Sequence, residues 1–506
     1  MVSASSHVGI ENVWAGMTGH GLSVRSVRMS RHNERRRCTV RTAEHLRQRS
    51  TEYAVKEAMR ILGDQPEKQL TRLVDLAERI AATEDHKQVI ANVRKYVEPE
   101  QDGELPAPVR TILRGLRQTA PDCRARLFTN ALVNGTWRGR TKRDATLRDQ
   151  GFYPPSIMLM SPTMRCNLHC TGCYAADYTK NDDLPFEVMD RVLSEANDLG
   201  ISNIILLGGE PFVRPDVLDL VAKHDDMAFM AFSNGTLLTE PLAHRLAELG
   251  NIAVSVSIDG LKEAHDLRRG DGGFDRVIEG LRNLKAAGVP FGFSSMITSA
   301  NCEDMIADEF IDMLVDEGCL WGWHFLYMPV GDDVDLSLMP TPEQRELLRQ
   351  RGAQWIRMNK EVFIIDFWND APYVGGCIAG GQHYFHINAN GDVEPCIFAH
   401  FATDNIKDVP LAQALNSPLF QGIRARQPYS DNLLRPCMII DNTDVLRDVV
   451  AAHGAYPTHP QAARLLDEFA PALDEYAESY RRIADVAWED IGRRSSQAPP
   501  CVADTA

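Results

Sequence analysis

The stretch Ser161-Pro-Thr-Met-Arg-Cys166-Asn-Leu-His-Cys170-Thr-Gly-Cys173-Tyr174 follows directly on the apolar run Ile157 to Met160. Its three cysteines have the spacing C-x3-C-x2-C and are three of 11 in a chain of 506 residues. A [4Fe-4S] cluster takes four thiolates, so three on one loop hold three irons and leave the fourth open to an exchangeable ligand. Two other readings compete. A buried helical stripe of small apolar cysteines fits poorly with Asn167, His169, Thr171 and Gly172 between them. A structural zinc site needs a fourth, closing ligand, for which His169 is near but lies between the cysteines in sequence.

Outward from this loop, short apolar runs alternate with amphipathic segments. The candidate strands are Ile157 to Met160, Ile204 to Leu207, Met227 to Phe232, Ile252 to Ile258, Val289 to Ile297 and Leu320 to Met328. Between them, Glu187 to Leu199, Pro215 to Lys223, Pro241 to Leu249 and Asp304 to Val315 suit helices, and Phe274, Val277, Ile278, Leu281 and Leu284 share one helix face. Six β-α units in a row imply a parallel sheet, open or closed. Such sheets bind ligands beyond the carboxyl ends of their strands, which is where the cysteine loop begins.

The chain is too long for one core, because cores stop growing near about 250 to 300 residues. Its 44% hydrophobic and 25% charged residues are ordinary for a globular protein. The apolar runs are far shorter than the roughly 18 residues that cross a bilayer, so no transmembrane segment is expected. A net charge of -16 argues against a phosphate-backbone binder, hence no nucleic acid. The dilute cysteines and the lack of a signal peptide at Met1 point to the cytoplasm.

Residues 1–50 are rich in arginine (Arg25, Arg28, Arg31, Arg35, Arg36, Arg37, Arg41, Arg47 and Arg49) and carry little apolar periodicity. They read as a basic, disordered tail or an upstream start rather than a basic arm or transit segment. Residues 51–150 read as a helical lead-in, from the helical spacing of Val55, Ala58, Met59 and Leu62 and of Leu70, Leu73, Val74, Leu76, Ala77 and Ile80. Residues 151–335 form the barrel, 336–445 a glycine- and cysteine-bearing domain, and 446–506 a helical tail, helical from Ala462 to Ile491.

From Pro155 to Cys437 the sequence resembles the radical S-adenosylmethionine (radical SAM) superfamily, whose motif is matched by Cys166, Cys170, Cys173 and the aromatic Tyr174. The resemblance implies that these thiolates bind a [4Fe-4S] cluster whose open iron is chelated by SAM, and that electron transfer from it yields a 5'-deoxyadenosyl radical. Gly208-Gly209-Glu210-Pro211 matches the family's GGE motif, whose glycines let the backbone approach the methionine amino group. Ser233-Asn234-Gly235, Ser257-Ile-Asp259-Gly260 and Arg268-Arg269-Gly270 lie where the family contacts SAM. The resemblance implies cofactor-binding roles for Tyr174, Gly208, Gly209, Glu210, Ser233, Asn234, Asp259 and Arg269. The expected fold class is α/β: a partial (β/α)6 TIM-like barrel with a helical N-terminal region and a small α+β C-terminal auxiliary-cluster domain.

Cys377, Gly391 and Cys396 are spaced C-x13-G-x4-C, and Tyr384 to Cys396 reads as a hairpin turning at Asn390-Gly391. This resembles the opening of the SPASM and twitch auxiliary-cluster domains, with Cys437 as a third thiolate. A full SPASM domain ends in a further run of close cysteines, but none lies between Cys437 and Cys501. One auxiliary [4Fe-4S] cluster is therefore expected, its fourth iron open or closed by Asp441 or Cys319. Three unrelated buried cysteines, or a structural zinc, are the competing readings.

For the substrate pocket the candidates are Trp321, Trp323, His324 and Tyr327 on the last barrel strand, and Asp366, Trp368, Asn369 and Asp370 before Cys377. Aromatics on strands are more often core. His383, His386 and His400 read as satisfied imidazoles. The resemblance implies an enzyme that abstracts hydrogen from a C–H bond, with a flavodoxin- or ferredoxin-type electron donor. The helical lead-in shows no β-wing of a leader-binding module, so a small-molecule substrate is expected; peptide modification and a non-catalytic iron-sulfur or zinc protein are the alternatives.

Overall fold

The computed structural model describes residues 104–176, 183–331 and 333–497, with a few helical residues between 56 and 94. The basic segment 1–50 and most of the apolar positions of the lead-in lie outside the described residues. Where the lead-in is described it is helical, as α1 (Ala107–Gln118), α2 (Pro121–Phe128) and α3 (Gly139–Gln150).

All six expected strands form: β1 (Ile157–Thr163), β2 (Asn203–Gly208), β3 (Ala228–Ser233), β4 (Ile252–Ser257), β5 (Phe291–Ile297) and β6 (Trp321–Leu326). They pair in parallel in chain order. β1 runs past Met160 to Thr163, with a register shift between them, because Pro162 has no N–H for the ladder. The crossovers are α4 (Phe186–Leu199), α5 (Asp216–Lys223), α6 (Glu240–Leu249), α7 (Lys262–Arg269), α8 (Gly273–Ala287) and α9 (Asp308–Glu317). α4 buries Met189, Val192, Leu193, Ala196 and Leu199, and α8 buries Val277, Ile278, Leu281 and Leu284, both at helical spacing. Each such Leu, Ile, Val or Met stabilises the fold by about 1.5–3 kcal/mol relative to exposure.

The sheet has nine strands rather than six. β7 (Phe363–Asp366) pairs in parallel with β6; at four residues it is too short to show a period. β8 (Tyr384–Ile387) pairs in parallel with β1, and β9 (Val393–Glu394) returns antiparallel to β8. The expected hairpin is present, but its turn is wider than Asn390-Gly391. Asn388 N donates to Asp392 O at 3.1 Å, and the Asn388 carboxamide oxygen accepts from the Asn390 and Asp392 amides at 3.0 Å each. β7 and β8 are not paired, so the barrel is open there, and Phe367 stacks on Tyr384 across the gap at 6.4 Å. A two-stranded sheet of β10 (Phe401–Ala402) and β11 (Tyr456–Pro457) follows. The tail contains α10 (Thr443–His453) and α11 (Ala470–Gln497), whose Tyr480 ring lies 3.4 Å from the buried Arg345 guanidinium. No described helix is long and apolar enough to cross a membrane.

His324, expected as a pocket candidate, instead packs between β6 and its covering helix, against Phe293 and Gly352. Neither ring nitrogen has a hydrogen-bond partner, and burial, with Arg357 nearby, pushes the imidazole down to about 4. Only the unfolded chain then binds a proton as pH falls below about 6.5, which costs roughly 1.4 kcal/mol per pH unit. Denaturant titrations from pH 7.5 to 5 are expected to show a shallower loss of stability for His324→Phe than for the wild type. Parallel profiles would show that His324 contributes nothing to the acid side.

Candidate functional site

The cysteine loop leaves β1 at its carboxyl end and is held by the strand-two turn. Gly209 N donates to Thr163 O at 3.0 Å and Glu210 N to Arg165 O at 2.9 Å. A Cβ on Gly209 would overlap the Arg165 carbonyl, and one on Gly208, at φ +113°, would meet the Thr163 carbonyl. In this structure the two glycines thus admit the cysteine loop's own backbone. Gly209→Ala is expected to displace the loop and slow SAM cleavage about tenfold or more, a barrier change of about 1.4 kcal/mol. The rate of 5'-deoxyadenosine release under dithionite checks this; an unchanged rate would mean the contact does not hold the loop.

Cys166, Cys170 and Cys173 are free thiols, each half-buried. Donors point at the first two: Leu168 N to Cys166 Sγ at 3.4 Å, Asn234 Nδ2 to Cys166 Sγ at 3.7 Å, and Arg269 Nη1 to Cys170 Sγ at 3.9 Å. Burial pushes the Cys170 thiol up, opposed by Arg269 and Arg268. Such donors stabilise thiolate ligands. Among the described residues no three His, Cys, Asp or Glu side chains are gathered as ligands of a single ion would be. Three thiolates on one loop, with N–H donors on two of their sulfurs, are a donor set that suits an iron-sulfur cluster.

Two of the expected cofactor-binding side chains do not reach the cavity. Glu210 is fully buried and accepts from Phe212 N (3.2 Å), Ser233 Oγ (3.0 Å) and Asn234 N (2.7 Å), tying the ends of β2 and β3 together. Burial pushes its carboxyl up to about 7 against these donors. Asp259 is buried beneath Arg268 and Arg269, pairing with Arg268 Nη1, with Arg269 Nε at 2.5 Å and with Met296 N at 2.9 Å. Both carboxylates stand behind the wall because their oxygens are occupied by protein donors.

The remaining expected residues meet at one cavity of about 220 Å³. It is lined by Cys166, Cys170, Cys173, Tyr174, Gly208, Gly209, Ser233, Asn234, Arg268 and Arg269. Its apolar wall includes Phe232, Trp323, Phe325, Phe367, Ile378, Tyr384 and Phe398. Of the substrate candidates only Trp323 is in this wall. Trp321 donates its indole N–H to Ser255 Oγ at 2.8 Å, and the Tyr327 hydroxyl accepts from Asp335 N at 3.2 Å. Asp366 caps the amides of Trp368 and Asn369, and Asp370 pairs with Arg357 at 2.8 Å. Sequence reading missed Phe232, Phe325 and Phe367; alternation along β6 from Trp323 pointed to Phe325.

The hairpin brings the second cysteine set together. Tyr384 Oη lies 3.1 Å from Cys396 Sγ, and Phe398 N and Ile439 N donate to Cys396 Sγ and Cys437 Sγ at 3.5 and 3.4 Å. Burial, with Cys396 nearby, pushes the Cys377 thiol up to about 12; burial, Asp441 and Cys377 raise Cys437. The two expected closing ligands differ in placement. Asp441 uses one oxygen for Arg345 Nη1 at 2.7 Å and the other for Cys437 N at 3.1 Å. Cys319 is buried just before β6, where Arg114 holds its carbonyl at 2.6 Å, at the opposite end of the strands. The hairpin histidines are satisfied: His386 bridges Ser161 Oγ (2.7 Å) and Glu394 (2.6 Å), and His400 bonds His459 and the Ile397 carbonyl.

The family model of the Radical SAM superfamily matches residues 160–308, and that of the iron-sulfur cluster-binding SPASM domain matches residues 377–438. The chain is 30% identical over 304 residues to the mycofactocin maturase MftC of Mycobacterium tuberculosis, covering 55% of this chain and 75% of that one. It is 30% identical over 230 residues to the Fe-coproporphyrin III synthase of Methanosarcina barkeri, covering 43% of this chain and 57% of that protein's length. With the PqqA peptide cyclase of Gluconobacter oxydans it shares 27% identity over 299 residues, 56% of this chain and 82% of the other. The solved structure of Streptococcus suis SuiB bound to S-adenosylmethionine shares the fold, with a TM-score of 0.50 at 19% identity over 65% of this chain and 86% of that one. The chain belongs to the radical SAM superfamily. It is a radical SAM enzyme with a SPASM domain, whose cofactors are a [4Fe-4S] cluster, SAM and auxiliary iron-sulfur chemistry.

Proposed function

We propose that this enzyme modifies a ribosomally made peptide, taking one apolar or aromatic side chain into the cavity between the two cysteine sets. This corrects the expectation of a small molecule, which rested on the lack of a β-wing. Relatives named as a PqqA peptide cyclase and as a sporulation killing factor maturation protein favour a peptide. The observation that carries the reading is the aromatic wall of the cavity, where Phe232, Trp323, Phe325, Phe367 and Tyr384 stand beside the polar lining. An apolar or aromatic side chain presented by a peptide suits that wall.

In this reading Cys166, Cys170 and Cys173 hold the SAM-binding cluster and Cys377, Cys396 and Cys437 the auxiliary one. Cluster and SAM together supply a hydrogen-abstracting carbon radical when an outside donor of flavodoxin or ferredoxin type provides the electron. Asn234 and Ser233 offer polar contacts for the cosubstrate, and Arg268 and Arg269 offer cations for its carboxylate. Trp323, Phe325 and Phe367 orient the side chain and exclude water. The test is anaerobic turnover with dithionite and SAM on two probes, a precursor peptide encoded beside the gene and an iron coproporphyrin. A mass change in the peptide matched by 5'-deoxyadenosine supports the reading; a change in the porphyrin alone overturns it.

A further inference from the structure

We propose that Tyr384, from the wall of the cavity, donates a hydrogen bond to the Cys396 thiolate and thereby raises the reduction potential of the auxiliary cluster. The inference rests on reading Cys377, Cys396 and Cys437 as that cluster's ligands. Tyr384 is the side chain in which the two halves of the site meet. Its ring lines the cavity while its hydroxyl is 3.1 Å from Cys396 Sγ. It is 5% exposed, and a phenol carries its proton at neutral pH. An O–H facing a thiolate can only donate, and a donor to a cluster sulfur stabilises the more negative, reduced state.

The register of the sheet explains the placement. Tyr384 opposes Ile157 in the β1–β8 ladder, and Cys396 follows the return strand β9 by two residues. The same ring is stacked on Phe367, which lies 5.3 Å from Trp323, itself 5.8 Å from Phe232. Phe232 is followed by Ser233 and by Asn234, whose amide touches Cys166. Ring contacts therefore run from Phe232, two residues before Asn234, to Tyr384 beside the auxiliary thiolate.

The test is EPR-monitored redox titration of the holoenzyme, comparing wild type, Tyr384→Phe and protein with 3,5-difluorotyrosine in place of Tyr384. The auxiliary signal is the one unaffected by added SAM. Its midpoint is expected to move to more negative potential in Tyr384→Phe and to more positive potential with the more acidic difluorophenol, while the SAM-sensitive signal stays in place. Equal midpoints in all three proteins, at unchanged iron content, overturn the inference. If Tyr384→Phe loses about four irons, one cluster's worth, the difluorotyrosine protein decides: a positive shift supports the inference and no shift overturns it. A wild type without any SAM-insensitive signal sinks the assignment of the three ligands instead.

Discussion

Replacing Cys166, Cys170 and Cys173 together by alanine is expected to abolish 5'-deoxyadenosine formation and to lower the iron content of reconstituted protein from about eight to about four, by the four-iron stoichiometry of each cluster. The loop carries no other thiol, and Leu168, Asn234 and Arg269 donate to Cys166 and Cys170. Replacing Cys377, Cys396 and Cys437 is expected to remove the other four irons, by the same stoichiometry, yet to leave uncoupled SAM cleavage measurable. The two cysteine sets are separate, and the polar lining of the cavity belongs to the first. Iron and sulfide counts with dithionite-driven SAM cleavage check both variants. Retention of cleavage by the first would sink the assignment of the SAM-binding cluster.

The second large effect is expected at Asp259. Its carboxylate is fully buried and balances Arg268 and Arg269, which are 14% and 10% exposed. Removing one partner of a buried charge group costs about 3–5 kcal/mol, so Asp259→Ala is expected to lose that much in denaturant unfolding and to release Arg269 from Cys170. Asp259→Asn keeps the shape and loses only the charge, so its deficit is expected to be smaller. Burial alone would raise the Asp259 carboxyl, but Arg268 and Arg269 overcome it and hold it well below the usual carboxylate range. A depressed folded pKa stabilises above the unfolded value of about 3.9 and is lost as pH falls through the folded one. The deficit of the Asn variant is therefore expected to be constant from pH 8 to 5 and to shrink below about pH 4. A deficit that grows on acidification would contradict the pairing.

Much of this arrangement was legible in advance because it is local. A C-x3-C-x2-C loop after a strand, and six alternating apolar and amphipathic segments, depend on near neighbours in the chain. β7 escaped notice because four residues carry too little periodicity, and β8 read as part of a separate hairpin because its partner is β1, more than 200 residues earlier. Glu210 and Asp259 were identified as site residues, but their side chains face protein donors behind the cavity. The closing ligand was left open in the sequence for a related reason. Asp441 and Cys319 have suitable chemistry, yet one is engaged by Arg345 and the other lies at the far end of the strands.

By itself the sequence determined the superfamily, the six strands of the barrel and the two sets of cysteines, since spacing and order along a chain are one-dimensional. Only the tertiary structure decided which polar groups face the cavity, that β8 completes the sheet beside β1, and that Tyr384 joins an aromatic wall to Cys396. Those facts depend on how distant segments pack, where one residue of strand register exchanges the inner face for the outer.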